Sequence, residues 1–600
     1  MLLWMALQLV STLALIQADP ASLALSNHST APFIFNSLSS LLQLWPNTYH
    51  QNGHTIVPGT LQPFTLLYHA RKDTAPPPSP EWFAFDPEMS HTLMVLFSGP
   101  TYLTTYRTTK PTRVLYFDGM SAAWGNLGWM DTQEALLRGA DANGTSQDKD
   151  KISWVDDYKR AKKLCKWASS RNIEGFVRMN AGFELLWCDF TSPALEIVSH
   201  LNITVPGTSA ADPRGPGFPQ RHSGSESELD YSDFPQRPFP VGPGYPNPGG
   251  PRQDSLGGGT MAPLAVSSAG EWLRIATHRA FSPQPRIALD HSKLITFYHP
   301  RLTSLAPGRA GNGSDITMRM HRVWTDISDG DAASVAAELD DVLSRDDSGS
   351  GSGMDWGAAA RGVVEHWASR LMQLQHGLNA AITAPDTNAT QVVLDVRLLT
   401  YMPLSPYMAL GSAPNASGSA LFFGKGTGTT PCADELLEPE LESAFDRCMY
   451  SATGFASSRA FTPQETLLQS SIAAVLERVC FDVGVVFSES YDASSSASQA
   501  SASFHPSLSD EDDSRRRAVS LNTLIEGWEA RMNALVAWLD WTEWLRCDKA
   551  CDWDSVCAMP LWPIQMSDED EDGTQDSGRE AEWQPRCHKL KGSSVPWIVL

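Results

Sequence analysis

Short apolar runs bounded by proline or glycine dominate the first third of the chain. Three of them span Phe64 to His69, His91 to Phe97 and Arg113 to Phe117 and are rich in Leu, Val, Tyr and Phe. Two more follow, at Gly175 to Met179 and at Phe183 to Cys188. This composition and these boundaries are typical of β-strands, so we predict strands at all five positions.

A helix is predicted between the third and the fourth of these strands. Ser153, with Asp156 three residues later, resembles a capping box, and Asn172 marks the end of the helix. The apolar stripe follows helical spacing at Trp154, Tyr158, Ala161, Cys165 and Ala168. Strands and helix together predict an α+β domain over residues 19–205.

Helical periodicity replaces the strand pattern in the C-terminal half of the chain. Ser328, Asp355 and Thr462 are the predicted N-caps of three helices, and residues 521–545 are predicted to form a fourth. The apolar stripe after Asp355 comprises Trp356, Ala360, Val363, Val364, Trp367, Leu371, Leu374 and Leu378. We therefore predict a mainly α domain over residues 261–600.

Low-complexity segments separate and interrupt these domains. Residues 206–260 are dominated by Pro, Gly and Ser and cannot bury enough apolar surface to offset the entropy of ordering them, so a disordered linker is predicted. Segments 346–353, 489–517 and 567–582 are rich in Ser, Gly or acidic residues and are predicted to be exposed, mobile loops. The run Val392 to Tyr401 is compatible with a strand, so the second domain is not predicted to be wholly α.

The N-terminus predicts entry into the secretory pathway. Residues 1–18, MLLWMALQLVSTLALIQA, are almost wholly apolar and end in a small residue, as in a signal peptide cleaved near Ala18. Because this segment has no Lys or Arg, an uncleaved signal anchor is the alternative. No later apolar run reaches about 18 residues, so no membrane-spanning helix is predicted. We expect a secreted protein.

The composition is that of an acidic globular protein. The chain has 600 residues, of which 42% are hydrophobic, enough for a sizeable core in about two to four domains. It has 68 acidic and 45 basic residues, which gives a formal net charge of −23. Such a chain repels phosphate backbones, so nucleic acid is not an expected partner.

Sequons and cysteines agree with an oxidising compartment. Behind a signal peptide, N-x-S/T sequons are expected glycosylation sites, and they begin at Asn27, Asn143, Asn202, Asn312, Asn388 and Asn415. The chain has nine cysteines. Because this number is odd, at most four intramolecular disulfides form and one thiol is left over.

Two groups of cysteines have alternative interpretations. Cys165 on the predicted helix and Cys188 on a predicted strand form either a disulfide, which we favour, or two buried free thiols. A C-terminal group offers enough ligands for zinc: Cys547, Cys551, Cys557, Cys587 and His588. Its spacing is not a standard zinc pattern, so we predict disulfides there and no metal site.

Ionisable residues near the predicted strands form the candidate site. His69 ends one strand and Asp118 follows another. Glu184 lies within the apolar run FELLWC, where a carboxylate either points to solvent from an edge strand or is buried for a purpose. Asp118-Gly119 is alternatively a simple turn. Asp118 and Asp131 would suit a carbohydrate-active protein if their carboxyl groups lay about 5–9.5 Å apart.

Known catalytic and nucleotide-binding motifs add no residues to this candidate site. No G-x-S-x-G, P-loop, H-E-x-x-H or G-x-G-x-x-G motif occurs where its mechanism would need it. A Ser/His/Asp arrangement assembled from distant parts of the chain stays open, because its members need not be neighbours in sequence.

The first domain contains LLYHA, PEWFAFDPEMS, YLTTYRTTKPTRVLYFDGMSA, MDTQ and NAGFELLWCDF. The second contains EHWASRL, CMYSATGF, FTPQETLL and CDWDSVCAMPLWPI. These segments resemble a recurrent pattern in secreted, functionally uncharacterised proteins of filamentous fungi. The resemblance spares the linker and the low-complexity loops, and it implies secretion and this architecture but no reaction.

A strand ending at His69, a later tyrosine (Tyr106, or Tyr102) and the strand residue Glu184 occur in an order that resembles the NAD-binding core of the ADP-ribosyltransferases. The resemblance implies that the histidine holds the ribose, that the tyrosine stacks on the nicotinamide and that the glutamate polarises the reacting sugar hydroxyl. Ala70 stands where that family usually has glycine, and the other spacings match only loosely.

Three functions follow as hypotheses. The first is a secreted, N-glycosylated structural or interaction protein without catalysis. The second is an NAD-dependent ADP-ribosyltransferase-like enzyme, which requires His69, Tyr106 and Glu184 to line one cleft. The third is a carbohydrate-active protein. The cofactor is unknown, and NAD is expected only under the second hypothesis.

Overall fold

Two units make up the fold, and each has its own kind of secondary structure. The computed structural model describes residues 30–95, 99–123, 128–140, 157–204, 261–309, 321–345, 351–384, 388–409, 416–424, 443–454, 460–502, 510–559, 562–565, 584–590 and 597–598. The sheet unit comprises Ser40–Asp346 and Leu545–Leu600, and the helical unit comprises Met1–Ser39 and Asp347–Trp544.

The described strands are β1 Thr55–Leu61, β2 Leu66–Arg71, β3 Glu81–Ala84, β4 Tyr102–Thr108, β5 Thr112–Phe117, β6 Gly175–Met179, β7 Phe183–Trp187, β8 Leu195–Asn202, β9 Ile287–Leu289, β10 Ile295–Thr296, β11 Ser555–Ala558, β12 Ile564–Gln565, β13 Arg586–Lys589 and β14 Trp597–Ile598. The described helices are α1 Ala31–Ser40, α2 Leu44–Tyr49, α3 Pro87–Val95, α4 Asp131–Ala140, α5 Asp157–Ala168, α6 Met261–Thr277, α7 Ala306–Arg309, α8 Val323–Asp326, α9 Asp329–Ser344, α10 Trp356–Thr383, α11 Ala389–Leu404, α12 Gly418–Phe422, α13 Ala444–Met449, α14 Pro463–Ala502 and α15 Asp510–Leu539.

A ten-stranded sheet is the frame of the sheet unit. Its strands run in the order β10-β1-β5-β6-β7-β3-β2-β4-β8, and β9 pairs with β1 as β10 does. Neighbours are antiparallel except for β5 and β6, which are parallel. A parallel pair needs a crossover connection, and the crossover from β5 to β6 contains α4 and α5.

The crossover helices cover one face of the sheet. Leu115, Phe176 and Leu186 lie side by side on β5, β6 and β7 and belong to one buried apolar cluster with Leu136 of α4 and Leu164 of α5. Helix α9 adds Val335, Leu339 and Val342 to this cluster. The core of the sheet unit therefore joins residues that are far apart in sequence.

The helical unit is built on long helices whose starts follow from local capping. Thr462 and Glu465 exchange hydrogen bonds at the start of α14, with Thr462 N donating to Glu465 Oε2 at 2.9 Å and Glu465 N donating to Thr462 Oγ1 at 3.1 Å. Asp355 caps α10 through the backbone N–H of Ala358. Helices α10, α11, α14 and α15 pack on one another. In the described residues, no helix combines the length and the apolar character that crossing a membrane requires.

Three secondary-structure predictions were wrong. Residues 91–95 of the predicted strand lie in helix α3, because Pro87 at the first position and Glu88 in the first turn favour a helix start. The run Val392 to Tyr401 lies within helix α11, which Asn388 caps. Residues 489–502 of the predicted loop continue α14, and residues 510–517 begin α15. Extending an existing helix fixes one residue per added hydrogen bond, so a Ser/Ala-rich segment can join it.

The α+β and mainly helical characters agree with the prediction, but the boundary between the units does not. Strands β9 and β10 pair with β1, and α9 lies in the core under the sheet. Residues 261–346 and 545–600, which we predicted to be part of the helical domain, therefore belong to the sheet unit. Pairing across more than 200 residues leaves no local sequence signal.

Four disulfides confirm the predicted cysteine chemistry. Cys165 of α5 is bonded to Cys188, which follows β7. In the C-terminal group Cys547 pairs with Cys557 and Cys551 with Cys587, so these sulfurs form disulfides as predicted. The fourth bond joins Cys448 of α13 to Cys480 of α14.

Several sequence-based predictions lie outside the described residues. These are the signal peptide over residues 1–18, the start of the α5 helix at Ser153, the linker over residues 206–260, the loop over residues 567–582 and the ninth cysteine, Cys432. Four sequons lie outside them as well: Asn27, Asn143, Asn312 and Asn415.

Candidate functional site

A buried group of charged side chains lies between the sheet and its crossover helices. At its centre Arg178 of β6 is 1% exposed. It donates to Glu184 Oε1 at 2.6 Å and to Asp157 Oδ2 at 2.7 Å. Arg160 of α5 donates to Asp157 Oδ1 at 2.8 Å and to Glu134 Oε1 at 2.6 Å. We call these five residues the Arg178 cluster.

Local structure determines where each member of the cluster lies. Arg178 and Glu184 are direct partners in the antiparallel β6–β7 ladder, so their side chains share one face of the sheet. Asp157 is the first described residue of α5, and Glu134 lies in the first turn of α4. Acidic side chains are favourable at helix N-termini because the helix dipole is positive there.

The two carboxyl groups that share Arg178 have opposite pKa shifts. Burial raises the pKa of Asp157, but Arg178 and Arg160 outweigh this effect and lower the pKa to about 2. Burial raises the pKa of Glu184 above its ordinary value, and Arg178 offsets this only in part. Asp157 accepts through both oxygens, whereas Glu184 receives both Arg178 bonds on Oε1. Glu184 is therefore the member of this pair that gains a proton more readily.

Aromatic side chains adjoin the cluster. The guanidinium carbon of Arg178 lies 5.9 Å from the centroid of the Trp82 ring. Tyr158 packs edge-on against Trp82 with a centroid distance of 4.5 Å, and its hydroxyl lies 3.1 Å from each carboxylate oxygen of Glu81. The ring of Trp82 therefore contacts both the Arg178 guanidinium and Tyr158, the hydrogen-bond partner of Glu81.

A second polar group contains two stacked histidines from distant parts of the chain. His54 Nε2 lies 2.8 Å from His321 Nδ1, and His54 Nδ1 lies 2.7 Å from the carbonyl oxygen of Asn52. His321 Nε2 lies 3.6 Å from Asp326 Oδ2. Both rings are almost fully buried.

Hydrogen-bond chemistry assigns the protons in this histidine pair. The Asn52 carbonyl only accepts, so His54 Nδ1 carries a proton. Burial lowers the pKa of His54 well below its ordinary value, so its Nε2 is bare and accepts from His321 Nδ1. Burial also lowers the pKa of His321 to about 4. His321 Nε2 is consequently a bare acceptor, and no donor among the described residues reaches it.

The structure separates the three residues predicted to line one cleft. Glu184 pairs with Ala84, and Ala84 pairs with Tyr68, so these side chains share one face. His69 directly follows Tyr68 and therefore points to the opposite face. Tyr106 lies on the same face as His69 by the register of β2 and β4. The prediction that His69, Tyr106 and Glu184 line one cleft does not agree with this arrangement. His69 and Tyr106 lie on one face of the sheet, and Glu184 lies on the other.

His69 lies in an aromatic layer on its own face. Its Nδ1 donates to the carbonyl oxygen of Trp82 at 2.7 Å. The rings of Phe83 and Phe190 have centroids 6.4 and 5.9 Å from that of His69, and the ring of Tyr106 lies 5.0 Å from Phe83. Burial lowers the pKa of His69 to about 4, so the imidazole is neutral at neutral pH.

The proposed carboxylate pair is engaged in internal bonds. Asp131 begins α4 and accepts from Arg322 Nε at 2.9 Å and from the backbone N–H of Trp324 at 3.1 Å. Asp118 accepts from the backbone N–H of Thr55 at 2.7 Å, and burial raises its pKa to about 7. Asp118 thus bonds to the start of β1, and Asp131 bonds to the segment at Arg322 and Trp324.

Sequence reasoning missed most members of both clusters. Arg178 lies within the run GFVRM, and a charged residue in a predicted buried strand is a signal that was available. Nothing in the sequence links His54 to His321, because 267 residues separate them.

Two predicted sequons, at Asn202 and Asn388, have exposed asparagines.

A family model and two yeast proteins match part of the chain. A family model described as the YPL277C N-terminal domain matches residues 94–214. The chain is 27% identical over 262 residues to uncharacterized protein YPL277C of Saccharomyces cerevisiae, covering 34% of this chain and 51% of that protein. It is 28% identical over 228 residues to uncharacterized protein YOR389W of the same yeast, covering 30% and 34%.

The matches support similarity to uncharacterised fungal proteins and assign no reaction. The chain spans about half of the first relative's length and about a third of the second's. No solved structure matches the chain. The family match contains all members of the Arg178 cluster, whereas His54 and His321 lie outside it.

Replacing Arg178 by Met is expected to lower the free energy of unfolding by about 3–5 kcal/mol, because it leaves buried carboxylates without their partner. Urea denaturation measures the loss. The control is Arg107→Gln, which breaks an exposed ion pair with Glu196 and is expected to cost about 1 kcal/mol or less. Equal losses in the two variants would contradict a structural role for the buried cluster.

The histidine pair predicts a loss of stability in acid. The pKa of His321 is about 4 in the folded protein and about 6.5 when unfolded. The unfolded chain therefore binds more protons as the pH falls below about 6.5, and stability is lost down to about pH 4. His321→Gln is expected to flatten this decline in urea titrations repeated across that range. An unchanged slope would show that His321 does not titrate as inferred.

Proposed function

We propose that this protein is a secreted, N-glycosylated protein that acts by binding a partner rather than by catalysis. The observation that carries the proposal is the set of four disulfides, which uses eight of the nine cysteines. Cytosolic thiols are kept reduced, whereas disulfides of this number persist in the secretory pathway and outside the cell. Both units contain such bonds, so both units carry this indication of an oxidising compartment.

The internal bonding of the candidate catalytic groups supports a binding role. Glu184 is bonded to Arg178, Asp131 to Arg322 and Asp118 to the Thr55 backbone. A general acid or base must reach a proton of the substrate, and these carboxyl groups are instead directed into the protein. The large sheet, braced by the Cys165–Cys188 disulfide, then acts as a scaffold.

The secretion proposal predicts a specific cellular outcome. The full chain, produced in a fungal host, is expected in the culture medium with its glycans removable by an endoglycosidase. Peptide mapping without reduction is expected to recover the four disulfide pairs. A matched chain that lacks residues 1–18 is expected to stay in the cell with reduced thiols. Full-length chain retained in the cytosol without glycans would overturn the proposal.

A second candidate function is acid–base catalysis at the Arg178 cluster. One observation favours it: the environment raises the pKa of Glu184 and lowers that of Asp157 to about 2. Two titratable groups with pKa values pushed apart are the usual arrangement of an acid and its charged neighbour. In this proposal Glu184 exchanges the proton while Asp157 and Arg178 stay ionised and hold it in position.

A ligand screen with a Glu184 variant tests this second candidate. Melting temperatures are measured with NAD and with fungal wall oligosaccharides, because a ligand well above its dissociation constant stabilises the folded state by a few kcal/mol. A substrate of this site is expected to raise the melting temperature of the wild type, and its conversion is expected to be lost in Glu184→Gln, which cannot exchange a proton. Glu196→Gln, an exposed change on β8, is the control. If no ligand shifts the melting temperature, the first proposal, a partner-binding protein without catalysis, is favoured.

A further inference from the structure

The strand β8 forms one end of the ten-stranded sheet. Among the described strands it pairs with β4 alone, so its outer edge has no partner there. Three of its apolar side chains are unusually exposed: Ile197 at 60%, Val198 at 50% and Leu201 at 54%. An exposed apolar edge strand offers a row of backbone N–H and C=O groups to another chain.

Lysine, proline and free charge protect the edge of β8 only weakly, although its pairing with β4 has a local irregularity between Thr105 and Tyr106. Proteins commonly protect such edges with lysine, proline or free charges, yet the sequence LEIVSHLN contains neither Lys nor Pro. Its one charged residue, Glu196, is paired with Arg107 of β4 at 2.9 Å. The side chains of β8 therefore leave its outer edge open to pairing with another strand.

A sequon lies at the end of the same strand. Asn202 is the last residue of β8 and is exposed. Its Oδ1 accepts from the backbone N–H and from the hydroxyl of Thr204, at 3.0 and 2.5 Å. The Thr204 hydroxyl in turn accepts from the backbone N–H of Thr101 at 2.9 Å, next to β4. These bonds hold the sequon at the corner of the sheet.

We propose that Asn202 carries an N-linked glycan that shields the open edge of β8 and prevents pairing with a second copy of this chain. The proposal rests on the secretory location proposed above. In the transfer, Asn202 Nδ2 forms a bond to the anomeric carbon of a lipid-linked oligosaccharide diphosphate. The bond between that carbon and the phosphate oxygen breaks, the diphosphate leaves, and a base of the transferase takes one amide proton.

The geometry of strand pairing explains why one glycan suffices. Two copies joined through β8 about a two-fold axis would run antiparallel. With the axis between Val198 and Ser199, Asn202 of each copy would lie opposite Leu195 of the other. Side chains directly opposite each other on paired strands lie only about 5 Å apart. The glycan on each Asn202 would therefore crowd Leu195 of the other copy and the end of its strand, at both ends of the short interface.

The test compares variants secreted by the same host. Asn202→Gln removes the sequon on β8. Thr390→Ala removes the sequon at Asn388 but keeps the Asn388 side chain, which accepts from backbone N–H groups at the start of α11. Each variant is expected to lose the mass of one glycan. Size-exclusion chromatography with light scattering is expected to show that Asn202→Gln alone forms dimers or larger species as its concentration rises.

A third variant ties self-association to the edge itself. Adding Val198→Lys to Asn202→Gln places a charge on the unprotected strand and is expected to restore the monomer. The proposal is overturned if Asn202→Gln loses a glycan and remains monomeric, or if the double variant still associates. Loss of mass in Thr390→Ala alone would overturn it while leaving secretion intact. No glycan in any of the secreted proteins would overturn the N-glycosylation proposed above as well.

Discussion

Neutralising one buried guanidinium is the constraint on which the arrangement of the sheet unit depends. Arg178 lies in a strand interior where an unpaired charge would be strongly destabilising. Its carboxylate partners come from the neighbouring strand and from the N-terminus of α5, through Glu184 and Asp157. Glu134 of α4 is joined through Arg160. Both crossover helices are therefore held with their N-terminal turns over the middle of the sheet.

Helix α5 is fixed at both ends by chemistry of different kinds. Asp157 anchors its N-terminal part to β6 by charge, and the Cys165–Cys188 disulfide anchors its last turn to the end of β7. Two fixed points on one helix define its direction and its rotation over the strands. The same rotation places Tyr158 and its ring contact with Trp82 beside the charged cluster, so covalent and ionic constraints together shape the candidate site.

The elements that sequence patterns located well are those determined locally. Strand β6 matches its predicted limits because a short, fully buried run bounded by loops has few other solutions. The start of α14 follows from the exchange of hydrogen bonds between Thr462 and Glu465, which are three residues apart. The run from His91 failed because a short apolar run does not distinguish a strand from a helix by periodicity, and Pro87 favoured the helix.

The sequence by itself determined the cysteine chemistry, the helix caps and the unusual position of Glu184 in an apolar run. Only the tertiary structure decided that Arg178 is its partner, that the sheet separates it from His69 and that His54 meets His321. The physical reason is that alternation along a strand sets a side chain's face only relative to its neighbours. Which face meets the helices is fixed by pairing between distant strands, and that pairing leaves no trace in a short stretch of sequence.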